Sequence, residues 1–444
     1  MEPFVEVKQP TAPEPEVQAR MLNNSAFVAD GHSEIDRRED KAIYASSTVP
    51  GSSAIYAQEG GTIYLDHPEI HGWAPMTDED KRNELASKYG FCAAVLANCK
   101  TTNITLESPT IVCHENSNAN GAYAIFGGAV VIHGGSISTN NGLGHGVDAS
   151  YGGFIYLDGT TIHTGGTNSG ALATDFQGGY ITVKNIHAVT ERPGSPGIYT
   201  AGKSIISAYD STFISKGCEA VMLAHSLGHT YLYNCHMTGT VGLNCHNGGG
   251  EDFSYLHMIG GTVTATAGST LMCDGGNGVM DLTDVTFCGN DGNITFAKGG
   301  SKLVAILRDM AVTGDCARGE KSFVAVYLKN TSLKGAVNIT ELHLAEDAVW
   351  QVTGDSSAAV LDIAPGAVIC AAAPVTVRYG ALAEGCVLPK AENVTFASDD
   401  GIVDDYEAVK MGPPPGAGPG GPGGPGMPGM PGGPEGGMPG GPGM

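Results

Sequence analysis

Four segments of this chain share one grammar and carry most of its chemistry: GHGVDAS (144–150), NSGALATD (168–175), GSPGIYT (194–200) and GCEAVML (217–223). Each runs from a polar residue through a small one into a short strand-like run. Stacked on one another, they set His145, Ser169, Ser195 and Glu219 in approximate column. Asp148, Asp175, Arg192 and Tyr199 fall near the ends of the same strands. An imidazole, two carboxylates, a guanidinium and a phenol make an acid/base inventory. His145 can move protons near neutral pH without any tuning. Asp148 and Asp175 can divide into one ionised and one protonated group if they are close enough to repel. Arg192 can neutralise a substrate carboxylate or an enolate forming beside it. Tyr199 and His225 can donate to a leaving oxygen.

The catalytic candidates are therefore His145, Asp148, Asp175, Arg192 and Tyr199, with Ser169, Ser195, Glu219, His225 and His229 as substrate-binding candidates. Each has a plainer reading. The two aspartates suit Asx-turns at glycine-rich corners, and His145 can cap a turn. Ser169 and Ser195 suit a polar stack, because no nucleophile elbow surrounds either. Glu219 can pair with Lys216 or Lys203. Clustering in adjacent coils is what favours chemistry, since later coils hold mostly Thr, Ser and Asn.

A second cluster follows at 223–252, with His225, His229, Cys235, His236, Cys245 and His246. Histidines four apart bind zinc when they lie on a helix. This segment reads as strand and turn, where adjacent residues point to opposite faces, so no metal or other cofactor is expected. Gly248, Gly249 and Gly250 suggest a mobile loop beside a cleft, or only a wide corner.

What must position these residues is a repeat. Lines of similar pattern begin at Gly127, Gly152, Gly178, Gly202 and Gly228, spaced by 25, 26, 24 and 26 residues. Each line opens with a glycine pair or its relic, then alternates as strands do, turns, and alternates again. A helical repeat would need apolar residues at i, i+3, i+4 and i+7, which these lines lack. A period of this size with Gly/Asn/Asp corners predicts an all-β chain, a right-handed single-stranded parallel β-helix solenoid. Equivalent side chains then form ladders at a pitch of about 4.8 Å.

The bulk numbers agree. The chain has 444 residues with 66 glycines and only 16% charged residues, which suits a turn-rich β fold. Its net charge of −23 argues against nucleic acid or an anionic membrane as partner. Eleven cysteines without CxxC pairs read as reduced, buried small hydrophobes. No secretory leader pattern and no run of 18 apolar residues is visible, so the expected location is cytoplasmic.

In order, residues 1–40 read as a flexible lead-in, and 41–400 as the β-helix domain, with AIYAQEGGTIYLD (54–66) as its first coil. A helical insertion is expected at about 67–90, where Thr77 can cap TDEDKRNELASKY and Gly90 can stop it. Shortened coils follow His229. Residues 411–444 are Gly, Pro and Met in the main and read as a disordered tail.

The coil grammar, and HGVDA, SGALATD and SPGIYT above all, resembles bacterial proteins of the pectin-lyase-like β-helix superfamily. The resemblance covers roughly residues 54–370. It implies the fold, and an enzyme whose acids, Arg or His line one parallel sheet; that logic transfers only to His145, Asp148, Asp175 and Arg192. The expected function is proton-transfer chemistry on a carbohydrate or similar polyhydroxylated small molecule, as a lyase, isomerase or hydrolase, by a monomer or homo-oligomer. A non-catalytic adhesin-like or structural β-helix is the alternative.

Overall fold

The computed structural model describes residues 12–38, 43–115, 119–225, 227–246, 252–289 and 292–407. They wind into a parallel β-solenoid of about 14 turns. Each early coil contributes three strands, one to each of three stacked sheets. In the coil of the first acidic candidate these are Val147–Ser150, Phe154–Asp158 and Thr161–Thr164. Every strand pairs in parallel with its equivalent one coil on, as in Val147↔Leu172, Phe154↔Tyr180 and Thr161↔His187.

Alternation sorts the side chains. In the first sheet Ile55, Val95, Ala122, Val147, Leu172, Ile198 and Val221 stack inside, each 0% exposed. Leu65, Leu106, Ile132, Leu157 and Val183 do the same in the second sheet, and Ile70, Ile111, Ile137, Ile162, Ala188 and Phe213 in the third. Fully burying such a side chain is worth about 1.5–3 kcal/mol, so every coil adds several such increments.

The glycine pairs behind the repeat have two separate reasons. Gly127, Gly152 and Gly178 turn the chain with φ of 84°, 76° and 85°, a region that favours glycine. Their neighbours Gly128, Gly153 and Gly179 pass under the previous coil. A Cβ there would sit 2.4, 2.1 and 2.1 Å from the carbonyl oxygens of Ala97, Ala124 and Ala149. The corner between the second and third sheets is turned by left-handed residues, including Asn185, Asp210 and Asn234. Asn185 and Asn234 each donate a side-chain hydrogen bond to the aspartate of the previous corner, Asp158 at 3.1 Å and Asp210 at 2.9 Å.

Three expectations change at the N-terminal end. Residues 15–37 are not a bare lead-in. Helix α1 (Pro15–Asn24) opens with a proline, whose missing N–H is unneeded in a first turn, and buries Met21 with Val17 and Leu22 packed nearby. Strands Phe27–Ala29, Glu34–Arg37 and Ile43–Ser47 make a coil ahead of the one expected first, pairing with 55–57, 62–65 and 68–72. The insertion also starts later, because Pro68–Gly72 is a third-sheet strand.

The insertion runs from Trp73 to Phe91 and holds two helices rather than one, α2 (Asp78–Arg82) and α3 (Leu85–Tyr89). Thr77 caps α2 in a reciprocal box with Asp80, and Gly90 ends α3 at φ 66°. The break between them is Glu84, a non-glycine residue at φ 55°, ψ 36°.

Beyond the middle, the third-sheet coils shorten: Leu333 pairs with Trp350 and Trp350 with Ile369, 17 and 19 residues on, against 25 from Ile137 to Ile162. No helix among the described residues is long and apolar enough to cross a membrane. Residues 1–11, the glycine triplet at 248–250 and the 411–444 tail lie outside the described residues.

Candidate functional site

The site is built on the outward positions of the first sheet. Tyr56, Leu96, Tyr123, Asp148, Ala173, Tyr199, Met222 and Asn244 form one outward column, coil after coil. Asp175 lies two residues beyond Ala173 and so shares Asp148's face, one coil on. Side chains in that diagonal relation are neighbours within reach of one another's charge, and Asp175 acts on Asp148. Asp148 and Asp175 thus meet on one wall outside the core.

That wall is covered where a bare solenoid would be wet. The insertion and α1 pack over it: the Tyr123 hydroxyl donates to the carbonyl of Ser87, and Gly90 lies directly against the Tyr123 ring and Leu96. The Tyr89 ring is 6.3 Å from that of Phe126, and its hydroxyl donates to Glu14 at 2.9 Å. Arg20 on α1 holds Asp80 on α2 through two hydrogen bonds of 2.8 and 3.1 Å. Phe126, Tyr151 and Phe176 continue as a ring ladder along the edge of the covered wall, at 4.8 and 6.1 Å between centroids.

Under this cover Asp148 is 0% exposed. One carboxylate oxygen accepts a long 3.5 Å hydrogen bond from Ser150, and the other has no hydrogen-bond partner. Burial, then the neighbouring Asp175, pushes the Asp148 carboxyl well above the usual range. Asp175 is partly buried and accepts from the Phe176 backbone N–H at 3.1 Å. Burial, with Glu84 of the insertion adding to it, raises Asp175 to about 7. Tyr199, mostly buried, is held neutral by burial and by both carboxyls. No Lys or Arg is among the described groups that act on either aspartate.

His145 joins the site in another role than the one expected. Its Nδ1 accepts the Gly170 N–H at 2.9 Å, and its ring lies parallel to Tyr199 at 6.4 Å. Burial lowers it to about 4, so at neutral pH it is an uncharged ring that presents Nε2–H as a donor, not a proton shuttle.

Arg192 is not brought in. It is exposed on the corner before the next coil, its backbone against Gly217, and does not act on the carboxyls. Ser169 and Ser195 are both 0% exposed. Counting back from Val147↔Leu172↔Ile198↔Val221 aligns His145 with Gly170, Pro196 and Glu219, and the serines with Gly144 and Cys218. The expected column is therefore one residue out for the serines, and in a strand a slip of one reverses the face. Ser169 Oγ donates to the Asn141 carbonyl at 2.9 Å and Ser195 Oγ to that of Gly166 at 2.8 Å, so both stitch the corner.

Glu219 does face outwards, but it takes neither lysine. It accepts from Asn244 Nδ2 at 2.7 Å and from the Cys218 thiol at 2.5 Å, while Lys216 pairs with Glu191. His225 lies near His246 three coils from Asp148, and His229 is on the second sheet, stacked on Tyr255 at 5.1 Å. The 223–252 cluster thus disperses, with His236 on the third sheet beside Thr262. Among the described residues no group of His, Cys, Asp and Glu is placed to hold a metal ion.

The residues overlooked are Tyr123, Ser150 and Glu84. A signal for the first two existed: GAYAIFGG (121–128) is one more line of the same alignment as GVDASYGG (146–153). Nothing local marks Glu84, whose place depends on the insertion folding back. With the site's geometry in view, comparison of the chain with protein-family models and with curated proteins finds no match to either.

Proposed function

We propose that the chain is an acid/base enzyme of the pectin-lyase-like kind, acting on a neutral carbohydrate or other polyhydroxylated molecule through Asp148 and Asp175. The observation that carries this reading is Asp148, a fully buried carboxyl with an unpartnered oxygen, one coil from a second raised carboxyl. Keeping such a group costs stability, and strongly perturbed acids concentrate at working sites. Because two like carboxyls resist double ionisation, near and above pH 7 the pair holds one proton, on the deeper Asp148.

Hydrolysis uses that state directly. Asp148 gives its proton to the leaving oxygen as the glycosidic C–O bond breaks. Asp175 takes a proton from the water whose oxygen forms the new C–O bond. Tyr199 and the Nε2–H of His145 orient hydroxyls. With Arg192 elsewhere, nothing in the site neutralises a uronate carboxylate, which favours hydrolysis or isomerisation of neutral substrates over elimination from acidic ones. The test is a screen of neutral glycosides against uronides, followed by Asp148→Asn and Asp175→Asn. Turnover retained by both variants would remove the pair from the mechanism.

A second reading, a non-catalytic binding solenoid, draws on the open face of the second sheet. There Phe154 and Tyr180 stack at 4.8 Å and Tyr209 and Tyr233 at 4.9 Å, with Tyr255 and Ile259 exposed beyond. Glycan binding lost in Tyr180→Ser, with no turnover of any ligand bound, would favour it.

A further inference from the structure

We propose that the insertion from Trp73 to Phe91 is a lid over the Asp148–Asp175 pair, shut while the pair holds its protons and opened by rising pH. The inference rests on the reading of that pair as the working site, and adds how access to it is controlled. Asp148 cannot meet a substrate as it stands, since no part of it is exposed. The inserted piece of chain packs on Tyr123, the neighbour of Asp148 one coil before, and its Glu84 acts on Asp175. Its two halves meet at Glu84, a left-handed residue at φ 55° where the helical run breaks.

Polar bonds tie the piece down through the Arg20–Asp80 pair, the Tyr89 hydroxyl to Glu14, the Tyr123 hydroxyl to the Ser87 carbonyl and the Trp73 N–H to the Ser47 carbonyl. Met76, Leu85, Ala86, Tyr89 and Phe91 are its buried apolar anchors. At its base the Cys92 thiol donates to the Pro75 carbonyl at 3.6 Å, so the two ends of the piece lie side by side. Glu84, tethered by Lys88 at 3.6 Å, is the insertion's charged group that acts on Asp175. The coil side faces it with Asp148, Asp175, Tyr123, Tyr151 and Tyr199, and burial holds the three phenols neutral across the range in question.

The sign follows from proton counting. Burial raises both carboxyls in the shut state, and hydration on opening returns them toward the ordinary range. Opening therefore releases protons and is favoured as pH rises toward about 7 for Asp175, and beyond that for Asp148. Glu84 adds repulsion once Asp175 ionises. His145 titrates with the opposite sign but is held by Gly170 and Tyr199 on its own wall. Its effect lies mainly below its ordinary value of about 6.5.

The test is hydrogen exchange by mass spectrometry on the full chain at pH 6.5 and 7.5, corrected for intrinsic rates, in peptides covering 76–91 and 122–125. The opening constant of 85–91 is expected to rise about threefold from Asp175 alone, and more as Asp148 contributes, while 122–125 stays protected. Asp175→Asn is expected to lower that slope. Arg20→Gln is expected to raise opening by the same factor at both pH values. Protection of 85–91 that ignores pH, a slope unchanged in Asp175→Asn, or loss shared equally with 122–125 would each overturn the lid. None of these readouts needs a substrate, so an inactive protein with a pH-driven lid would sink the enzyme and leave the lid.

Discussion

The outer faces of the first and second sheets come from the same windings, a few residues apart, and they have opposite characters. On the first, Tyr123 and Asp148 are 0% exposed; on the second, Phe154 and Tyr180 are 48% and 41% exposed. Both faces present side chains in register at the same pitch. The difference lies in what lies on top: a nineteen-residue insertion and a ten-residue helix over one face, water over the other. A solenoid by itself supplies ladders, and a cover turns one ladder into a low-dielectric site where a carboxyl keeps its proton.

Because of that contrast, substitutions matched in kind must differ by face. The largest effect is expected on turnover: Asp148→Asn should lower kcat by about 10²–10⁴, the usual worth of a general acid, while Tyr180→Ser leaves it unchanged. Steady-state rates on the substrate that emerges from screening decide this. Next comes stability. Tyr123→Ala, under the cover, should cost about 3–5 kcal/mol in urea unfolding, and Phe154→Ala, in the open, under about 1 kcal/mol. Equal costs would mean that the cover does not pack as described.

A smaller effect distinguishes the faces by pH. The native protein holds a proton on Asp175 up to about 7 that the unfolded chain releases near pH 4. This group's contribution to stability therefore falls as pH rises through that window and is level above it. His145, lowered to about 4, acts in the opposite direction over part of the same range. The difference between wild type and Asp175→Asn cancels it, and the variant should gain on wild type from pH 4 to 7. The smallest effect is Tyr209→Ser on the open face, expected within about 0.5 kcal/mol at any pH.

The solenoid was legible because it is written in a repeat. The glycine pairs recur for reasons of φ and of space at Gly127/Gly128, Gly152/Gly153 and Gly178/Gly179, and a local requirement leaves a local mark. Asp148, Asp175, Tyr199 and His145 could be grouped for the same reason. What the pattern could not carry was register to a single residue, and that decided Ser169 and Ser195. Nor could it carry tertiary cover. Helix α1 has four apolar side chains, Val17, Ala19, Met21 and Leu22, too faint a pattern beside its proline and charges, and the helices fold onto a wall laid down much later in the chain. The pKa of His145 depends on that wall as well, so its type alone pointed to the wrong role.

The corner glycines also constrain how such a chain can change in length. The glycine pairs at 127/128, 152/153 and 178/179 return after 25 and then 26 residues, so the turns absorb a residue, whereas one residue added or removed within a strand turns the rest of that strand inside out. A complete winding can be inserted or lost at no such cost. Changes in length are thus expected as whole laps, as a residue or two in the turns, or as loops hung outside the solenoid as the Trp73–Phe91 segment is.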